Sequence, residues 1–100
     1  MLYEINPADG KVIRTLTAPS PYIEGLAFAE GCLWAMDPQV KRIFKLNPTT
    51  GITENDFPVK LSDPQGLAFD GEFLWVADAH KGILDQLSTE DGTRINRLRA

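Results

Sequence analysis

Apolar residues in this chain form short runs that are separated by turn-forming residues. The 7 prolines and 8 glycines interrupt the chain so often that no long window keeps apolar residues at the i, i+3, i+4, i+7 spacing of a helix. The runs are rich in β-branched and aromatic residues and recur about every ten residues, which is typical of strands. We therefore predict an all-β chain.

A repeat organises these runs. When the chain is aligned with itself at a shift of 41 residues, 13 of the 59 aligned pairs are identical. A period of about 40 to 45 residues indicates units that must stack because none can bury its own faces. The clearest matches place Gly25–Phe28 on Gly66–Phe69, Leu33 and Trp34 on Leu74 and Trp75, and Asp37 on Asp78.

Each unit is predicted to hold four strands, A to D. In the second unit these are 66–69, 73–77, 83–87 and 93–98. Asp70-Gly71 predicts a primed hairpin turn between A and B, because glycine accepts the positive φ that such a turn needs. Glu30-Gly31 falls one position later, so the first unit should have an A–B turn of another length. Each C–D turn opens on Asn or Ser and closes on Gly.

Strands A and B are apolar on both faces, whereas strand D is polar, so A and B should be inner and D outer. A four-stranded antiparallel sheet packed between similar sheets is a blade of a β-propeller. The chain then reads as about two and a half blades: a half blade at 1–18, a blade at 22–59 and a blade at 63–100. The half blade starts in a C strand.

The string from Pro64 to Asp78, with a Leu-x-Asn-Pro-x-x-Gly segment as in Leu46–Gly51, carries a family resemblance. It resembles blades of the NHL, gluconolactonase-like, virginiamycin B lyase-like and glutamine cyclotransferase-like propellers. The resemblance covers essentially the whole chain and is specific for the blade rather than for one activity. It implies a ring of five to seven blades.

Two and a half blades cannot close a ring, and an open stack would expose apolar faces at about 25 cal/mol per Å². We therefore expect a homo-oligomer, either a dimer or a trimer. In a simple head-to-tail ring, the D strand at the end of one copy would be followed by the C strand at the start of the next. The junction between copies is therefore expected to be adjusted or swapped. The competing interpretation is a truncated piece of a longer propeller.

Composition excludes several function classes. The formal charge is −4 and the basic residues are scattered, so we expect no nucleic-acid partner. No apolar run approaches the roughly 18 to 20 residues of a membrane span, and no signal peptide is evident, so we expect a soluble chain, cytoplasmic by default. The single cysteine, Cys32, leaves the compartment undetermined.

Few residues are candidates for chemistry. Glu24 and Gln65 directly precede inner strands, and His80 follows strand B, so all three could reach the mouth of a central channel. The resemblance implies that acidic and amide oxygens there hold a divalent cation such as calcium. We nevertheless expect no cofactor, because one Glu in each chain is too few unless a ring gathers several. His80 is more simply explained as a solvated loop histidine.

The repeated residues favour structural roles. Gly25, Gly66, Asp37 and Asp78 recur at strand ends, where a carboxylate can accept backbone N–H bonds. Trp34 and Trp75 could stack a sugar or a base, but their identical place in two inner strands favours blade packing. We expect Cys32 to be a small core filler. The basic residues at 41–42 and 94–99 are expected to be solvated.

Two functions of different class follow. The first is a non-enzymatic binding or scaffold module whose loops present a surface to a small molecule or a protein. The second is a small-molecule hydrolase or lyase of the gluconolactonase-like or glutamine cyclotransferase-like type, with its site at the ring centre. A divalent cation that raises the melting temperature, with the effect lost in Glu24→Ala, would favour the enzyme.

Overall fold

A computed structural model describes residues 1–99, so Ala100, the last residue of the predicted segment 63–100, lies outside it. Over the described residues every regular element is a strand, which confirms the all-β prediction. No helix in this range is long and apolar enough to cross a membrane. The ten strands are β1 (Leu2–Ile5), β2 (Val12–Leu16), β3 (Gly25–Ala29), β4 (Cys32–Asp37), β5 (Arg42–Leu46), β6 (Thr53–Pro58), β7 (Pro64–Phe69), β8 (Leu74–Asp78), β9 (Ile83–Leu87) and β10 (Arg94–Arg99).

The strands form three sheets, and within each sheet consecutive strands pair antiparallel. We call β1–β2 the half blade, β3–β4–β5–β6 the middle blade and β7–β8–β9–β10 the C-terminal blade. The first strands of the two full blades, β3 and β7, lie against each other. Strand A is therefore the contact between neighbouring sheets, as expected for the inner strand of a blade.

Strands β7 and β8 differ from their predicted bounds by one or two residues. The conformation of Gly66, with φ of 84°, places a bulge between Gln65 and Leu67. After the bulge Gln65 pairs with Ala77, so β7 continues back to Pro64 and β8 continues to Asp78. A bulge of this kind adds one residue to one strand and leaves pairing intact on both sides.

The A–B turn of the C-terminal blade corrects the prediction of a primed turn at Asp70-Gly71. The loop spans four residues, and Gly71 is the one among them with positive φ. The Asp70 carboxylate accepts the N–H groups of Glu72 and Phe73, each at 2.8 Å, and so replaces the primed geometry. The two-residue primed turn instead lies in the middle blade, at Glu30-Gly31.

The three C–D turns share one structure, as the sequence predicts. The first residue accepts the N–H of the closing glycine through its carbonyl at 2.8 to 3.0 Å, and its side chain accepts an N–H two residues on. Each glycine has φ between 74° and 77°. The turns begin at Asn6, Asn47 and Ser88 and end at Gly10, Gly51 and Gly92.

Two apolar seams hold the three sheets together. The seam between the middle and C-terminal blades is the larger, and Trp34, Met36 and Leu74 are fully buried in it. The seam between the half blade and the middle blade centres on Leu2, Leu16, Ala35 and Leu46. Complete burial of one such Leu or Met side chain contributes about 1.5 to 3 kcal/mol, so the seams are the main source of stability.

Candidate functional site

The three residues predicted at the channel mouth lie at the same end of the sheets. Glu24 immediately precedes β3, Gln65 lies on β7, and His80 follows β8. Because Gln65 pairs with Ala77 near the end of β8, the start of strand A and the B–C loop share one end of the blade. All three side chains are exposed to solvent.

Their contacts are local. Gln65 Nε2 donates to Asp63 Oδ1 at 3.2 Å, whereas Glu24 and His80 donate only backbone N–H groups, to Met36 O and Asp78 Oδ1. Within residues 1–99, no three His, Cys, Asp or Glu side chains gather into a set that could hold a metal ion. Cation binding at this mouth therefore stays a prediction.

Asp78 closes the B–C loop of the C-terminal blade. Its Oδ1 accepts the N–H groups of His80 and Lys81, each at 2.9 Å, and its Oδ2 accepts the Ser62 hydroxyl at 3.2 Å. The N–H of Lys81 is the strongest influence, and with these partners it lowers the pKa of Asp78 to about 2. The carboxylate therefore stays ionised and joins this loop to the segment before β7.

Asp37 makes the same arrangement in the middle blade. Its Oδ1 accepts the N–H groups of Gln39 and Val40 at 2.7 and 3.3 Å, and its Oδ2 accepts the Ser20 hydroxyl. In both blades the carboxylate is almost completely buried, with exposed fractions of 1% for Asp37 and 2% for Asp78. Both carboxylates are engaged by hydrogen bonds within their own blade, which favours a structural role for each.

The two tryptophans have different surroundings despite their equivalent positions. Trp34 is fully buried, and its indole N–H donates to Ala29 O at 3.0 Å. The Phe57 ring lies 6.0 Å away and the Lys45 ammonium 5.7 Å from the ring centre. Trp75 is only half-buried. Trp34 therefore packs the seam and cannot stack a ligand, whereas one side of Trp75 remains open.

Trp75 also ties strand B to its turn. Its indole N–H donates to Asp70 Oδ2 at 2.7 Å. The N–H of Phe73, then this indole and the N–H of Glu72, lower the pKa of Asp70 to about 2. Asp70 is thus a fixed acceptor of the A–B turn rather than a proton donor.

Cys32 lies at the start of β4, half-buried and outside the two apolar clusters, so the prediction of a core filler is wrong. Its thiol approaches Glu54 Oε1 at 3.7 Å. Burial, followed by the nearby Glu54 carboxylate, raises the pKa of the Cys32 thiol. The thiolate is disfavoured, which is the opposite of what a nucleophile needs.

The sequence did not indicate one partly buried ion pair. Arg97, expected to be solvated, donates from Nε to Asp85 Oδ1 at 2.7 Å and from its terminal nitrogen to Oδ2 at 2.9 Å. The hydrogen bond to Asp85 raises the pKa of Arg97. The pair lines an outer cleft of about 370 Å³ between the two full blades. The sequence held one indication of this pair, because Asp85 is a charged residue at the position that the apolar Phe44 occupies one repeat earlier.

Two apolar surfaces of the stack remain open. Beside the half blade, a groove of about 270 Å³ runs between β1 and the exposed side chains of Leu26 and Phe28. On the far face of the C-terminal blade, a depression of about 400 Å³ is lined by Ala77, Leu84 and Leu98. No part of residues 1–99 covers these two surfaces, and they are apolar where the channel mouth exposes Glu24, Gln65 and His80.

The strand order, the seams and the repeated loops together define the class of the molecule, which is a set of β-propeller blades. Glutaminyl cyclase from Myxococcus xanthus matches with a TM-score of 0.69 and 22% identity, over 83% of this chain and 36% of that chain. Virginiamycin B lyase from Staphylococcus aureus matches with a TM-score of 0.68 and 20% identity, over 95% and 32%. BamB from Moraxella catarrhalis matches with a TM-score of 0.63 and 13% identity, over 78% and 24%.

These similarities confirm the predicted propeller resemblance at the level of the fold. No family model matches the chain, and no curated protein matches it. The chain spans about a third or less of the length of these solved proteins. At such low identity the similarity shows the fold alone.

Proposed function

We propose that this chain is a non-enzymatic binding or scaffold module that completes its ring by association of copies. The observation that carries the proposal is the match between the two open ends of the stack. In each internal seam the D strand of one blade also contacts the C–D turn of the next, and the free ends carry both halves of this contact.

The seam contacts are repeated 41 residues apart. In the first seam, a Cβ built on Gly51 would lie 3.2 Å from Leu16 Cβ, so the turn touches the D strand directly. In the second, a Cβ built on Gly92 would overlap the Phe57 ring. Glycine is therefore required at these turns both for its positive φ and for this close approach.

A hydrogen bond accompanies each contact. Arg14 in β2 donates to Pro48 O at 3.0 Å, and Asn55 in β6 donates to Glu90 O at 3.3 Å. Both donors lie two residues before the apolar residue of the seam, and both acceptors lie in the following C–D turn. In both seams, therefore, the D strand and the next C–D turn make the same two contacts: an apolar residue packs on the turn glycine, and a side chain donates a hydrogen bond to a turn carbonyl.

The free ends contain the same elements without their partners. In β10, Leu98 is 48% exposed, and Asn96, two residues before it, is also exposed. In the half blade, no described atom lies within 4 Å of a Cβ built on Gly10. A second copy that places its Gly10 turn over Leu98 would reproduce the seam, and repetition would form a ring of two or three copies.

The oligomeric state tests this proposal. We expect the protein to sediment as a dimer or trimer, and we expect Leu98→Glu to shift it to monomer because the charge would be buried in the seam. Ile95→Glu is the matched control, since Ile95 is 50% exposed on the same strand but does not line the depression. A well-folded monomer at every concentration, or equal effects of both substitutions, would overturn the proposal.

A further inference from the structure

The outer cleft between the two full blades has a charge opposite to that of the chain. Its lining includes Lys60, Arg94 and Arg97 together with Asp85. Three cationic side chains against one carboxylate give the lining a formal charge of +2, whereas the whole chain carries −4. The cleft lies between two sheets that each have four strands, so neither end of the stack contributes to it.

The repeat shows that the fold does not require these charges. In the first seam the position of Asp85 is held by Phe44, which packs against the apolar cluster there. The positions of the three cationic residues hold no cation in that seam, where they are Pro19, Thr53 and Asp56. Burial of a charged pair carries a desolvation cost that an apolar filler avoids. The charges of the second seam are therefore better explained by binding than by packing.

Asp85 holds the Arg97 guanidinium in one orientation. The Asp85 residue is 3% exposed, and its two carboxylate oxygens accept Nε and one terminal nitrogen of Arg97 at 2.7 and 2.9 Å. A guanidinium carries five N–H groups, so three are not used by this carboxylate. The Arg97 side chain is still 23% exposed. The pair therefore presents a fixed cation with donors left for a second oxyanion.

Lys60 and Arg94 bring positive charge from both blades. Lys60 follows β6 of the middle blade, and Arg94 begins β10 of the C-terminal blade. Both residues are exposed, and the ion pairs within residues 1–99 are made by Arg14, Arg42 and Arg97. No carboxylate of these residues therefore neutralises Lys60 or Arg94, and an anion in the cleft would contact both blades.

The rest of the lining is apolar. Val59 and Leu87 are 6% and 5% exposed, and Pro58 lies beside them. The volume of about 370 Å³ falls in the range of small-molecule sites, which is roughly 300 to 1,000 Å³. The cleft thus combines an apolar wall with a group of cationic donors.

We propose that this cleft binds a small-molecule phosphate monoester with an apolar body. A phosphate monoester carries about −1.5 to −2 at neutral pH and has three acceptor oxygens, which match the +2 lining, whereas a carboxylate supplies a single charge. Arg97, Lys60 and Arg94 would donate to these oxygens. The apolar body would lie against Val59 and Leu87. The site goes beyond the proposed function, because it shares no residue with the contact between copies.

Phenyl phosphate is the probe, titrated into the wild-type protein at low ionic strength and followed by NMR. We expect saturable shifts of the backbone N–H signals at 59–60 and 92–97. Inorganic phosphate should bind more weakly because it lacks the apolar body, and neutral phenol should not saturate. Sedimentation of the same sample reports the oligomeric state, so failure of this site and failure of the ring are observed separately.

A pair of matched variants gives the second measurement. Arg94→Gln should weaken binding by about fivefold. Arg99→Gln is the control, because it removes the same charge from an exposed position of the same strand that does not line the cleft, and it should leave binding unchanged.

The ion pair is tested by replacing Asp85 and Arg97 together with leucine. Removal of both charges leaves neither unpaired, so the melting temperature should be retained while saturable binding is lost. Lys60→Gln replaces this variant if circular dichroism shows a loss of structure. Absent saturation, shifts spread over the whole surface, or equal effects of Arg94→Gln and Arg99→Gln would overturn the proposal. A phosphotyrosine peptide that binds much tighter than phenyl phosphate would also contradict it, by assigning the cleft to a protein ligand.

Discussion

The middle blade and the C-terminal blade have the same strand plan but different exposure on the face that points toward the C-terminal end of the stack. Trp34 and Ile43 are fully buried on this face of the middle blade. On the C-terminal blade, the equivalent Trp75 is only half-buried and the equivalent Leu84 is 44% exposed. The burial of a repeat position is therefore decided by the presence of a neighbouring sheet and not by the residue type.

The opposite face shows the reverse difference. There the middle blade is the exposed one, with Leu26 and Phe28 open to solvent, while Leu67 and Phe69 of the C-terminal blade are packed. Each blade thus has one satisfied face at these positions and one that lacks cover. The repeats serve as controls for one another, because the same chemistry occurs in the buried and in the exposed state.

The largest predicted effect concerns the tryptophans. Trp34→Ala should lower the free energy of unfolding by about 3 to 5 kcal/mol, because it leaves a cavity in a full seam. Trp75→Ala should cost about 1 to 2 kcal/mol, because one side of the ring is already in solvent. Urea unfolding of both variants at low protein concentration measures the difference. Equal costs would mean that the far face of the C-terminal blade is covered in solution.

The turn glycines give an intermediate effect. Gly10 and Gly92 have similar positive φ values, 74° and 77°, so alanine at either should cost about 1 to 2 kcal/mol of backbone strain. Gly92→Ala should lose a further 1 to 3 kcal/mol or so, because its Cβ would overlap Phe57. Thermal unfolding of the two variants in the Leu98→Glu background, where the proposed contact between copies is removed, compares them. If Gly10→Ala is as damaging as Gly92→Ala in that background, the Gly10 turn has a partner other than Leu98.

The smallest effect is a dependence on pH. The pKa of Asp78 in the folded protein is about 2, below its ordinary 3.8, so its contribution to stability is complete above about pH 4 and is lost as the pH falls toward 2. The melting temperature of the wild type should therefore fall across this range, and that of Asp78→Asn should fall less. The melting temperature of the variant still falls somewhat, because the pKa of Asp70 is also about 2 and Asp70 titrates in the same range. Parallel curves for the two proteins would show that the hydrogen bonds of ionised Asp78 do not contribute to the stability of the fold.

The repeat made most of the fold predictable. The identical placement of Leu33 and Leu74, and of Trp34 and Trp75, in strand B follows from a 41-residue unit with one strand plan. Turn chemistry was predictable where one residue type determines it, as in the C–D turns that close on glycine. The A–B turns were not, because the Asp70 carboxylate can form its own turn and Glu30 can adopt a positive φ.

The candidate site was less predictable than the fold. Sequence position alone places Glu24, Gln65 and His80 at one end of the blades, but it says nothing of their partners across a ring. The Asp85–Arg97 pair depends on a cross-strand register between β9 and β10, which a charge count does not include. The open groove beside β1 is a property of packing between sheets, and it becomes visible only when the exposure of Phe28 is compared with that of Phe69.

The seam between a D strand and the next C–D turn has a consequence for how such a protein can change in length. Because Leu16–Gly51 and Phe57–Gly92 are the same contact displaced by one unit, an inserted copy of residues 22–62 would meet both of its neighbours through contacts that already exist. Duplication or loss of a whole unit is then a modular event that preserves packing, as in other solenoid-like arrays. Ring size in this architecture can therefore change by gene duplication without any redesign of the core.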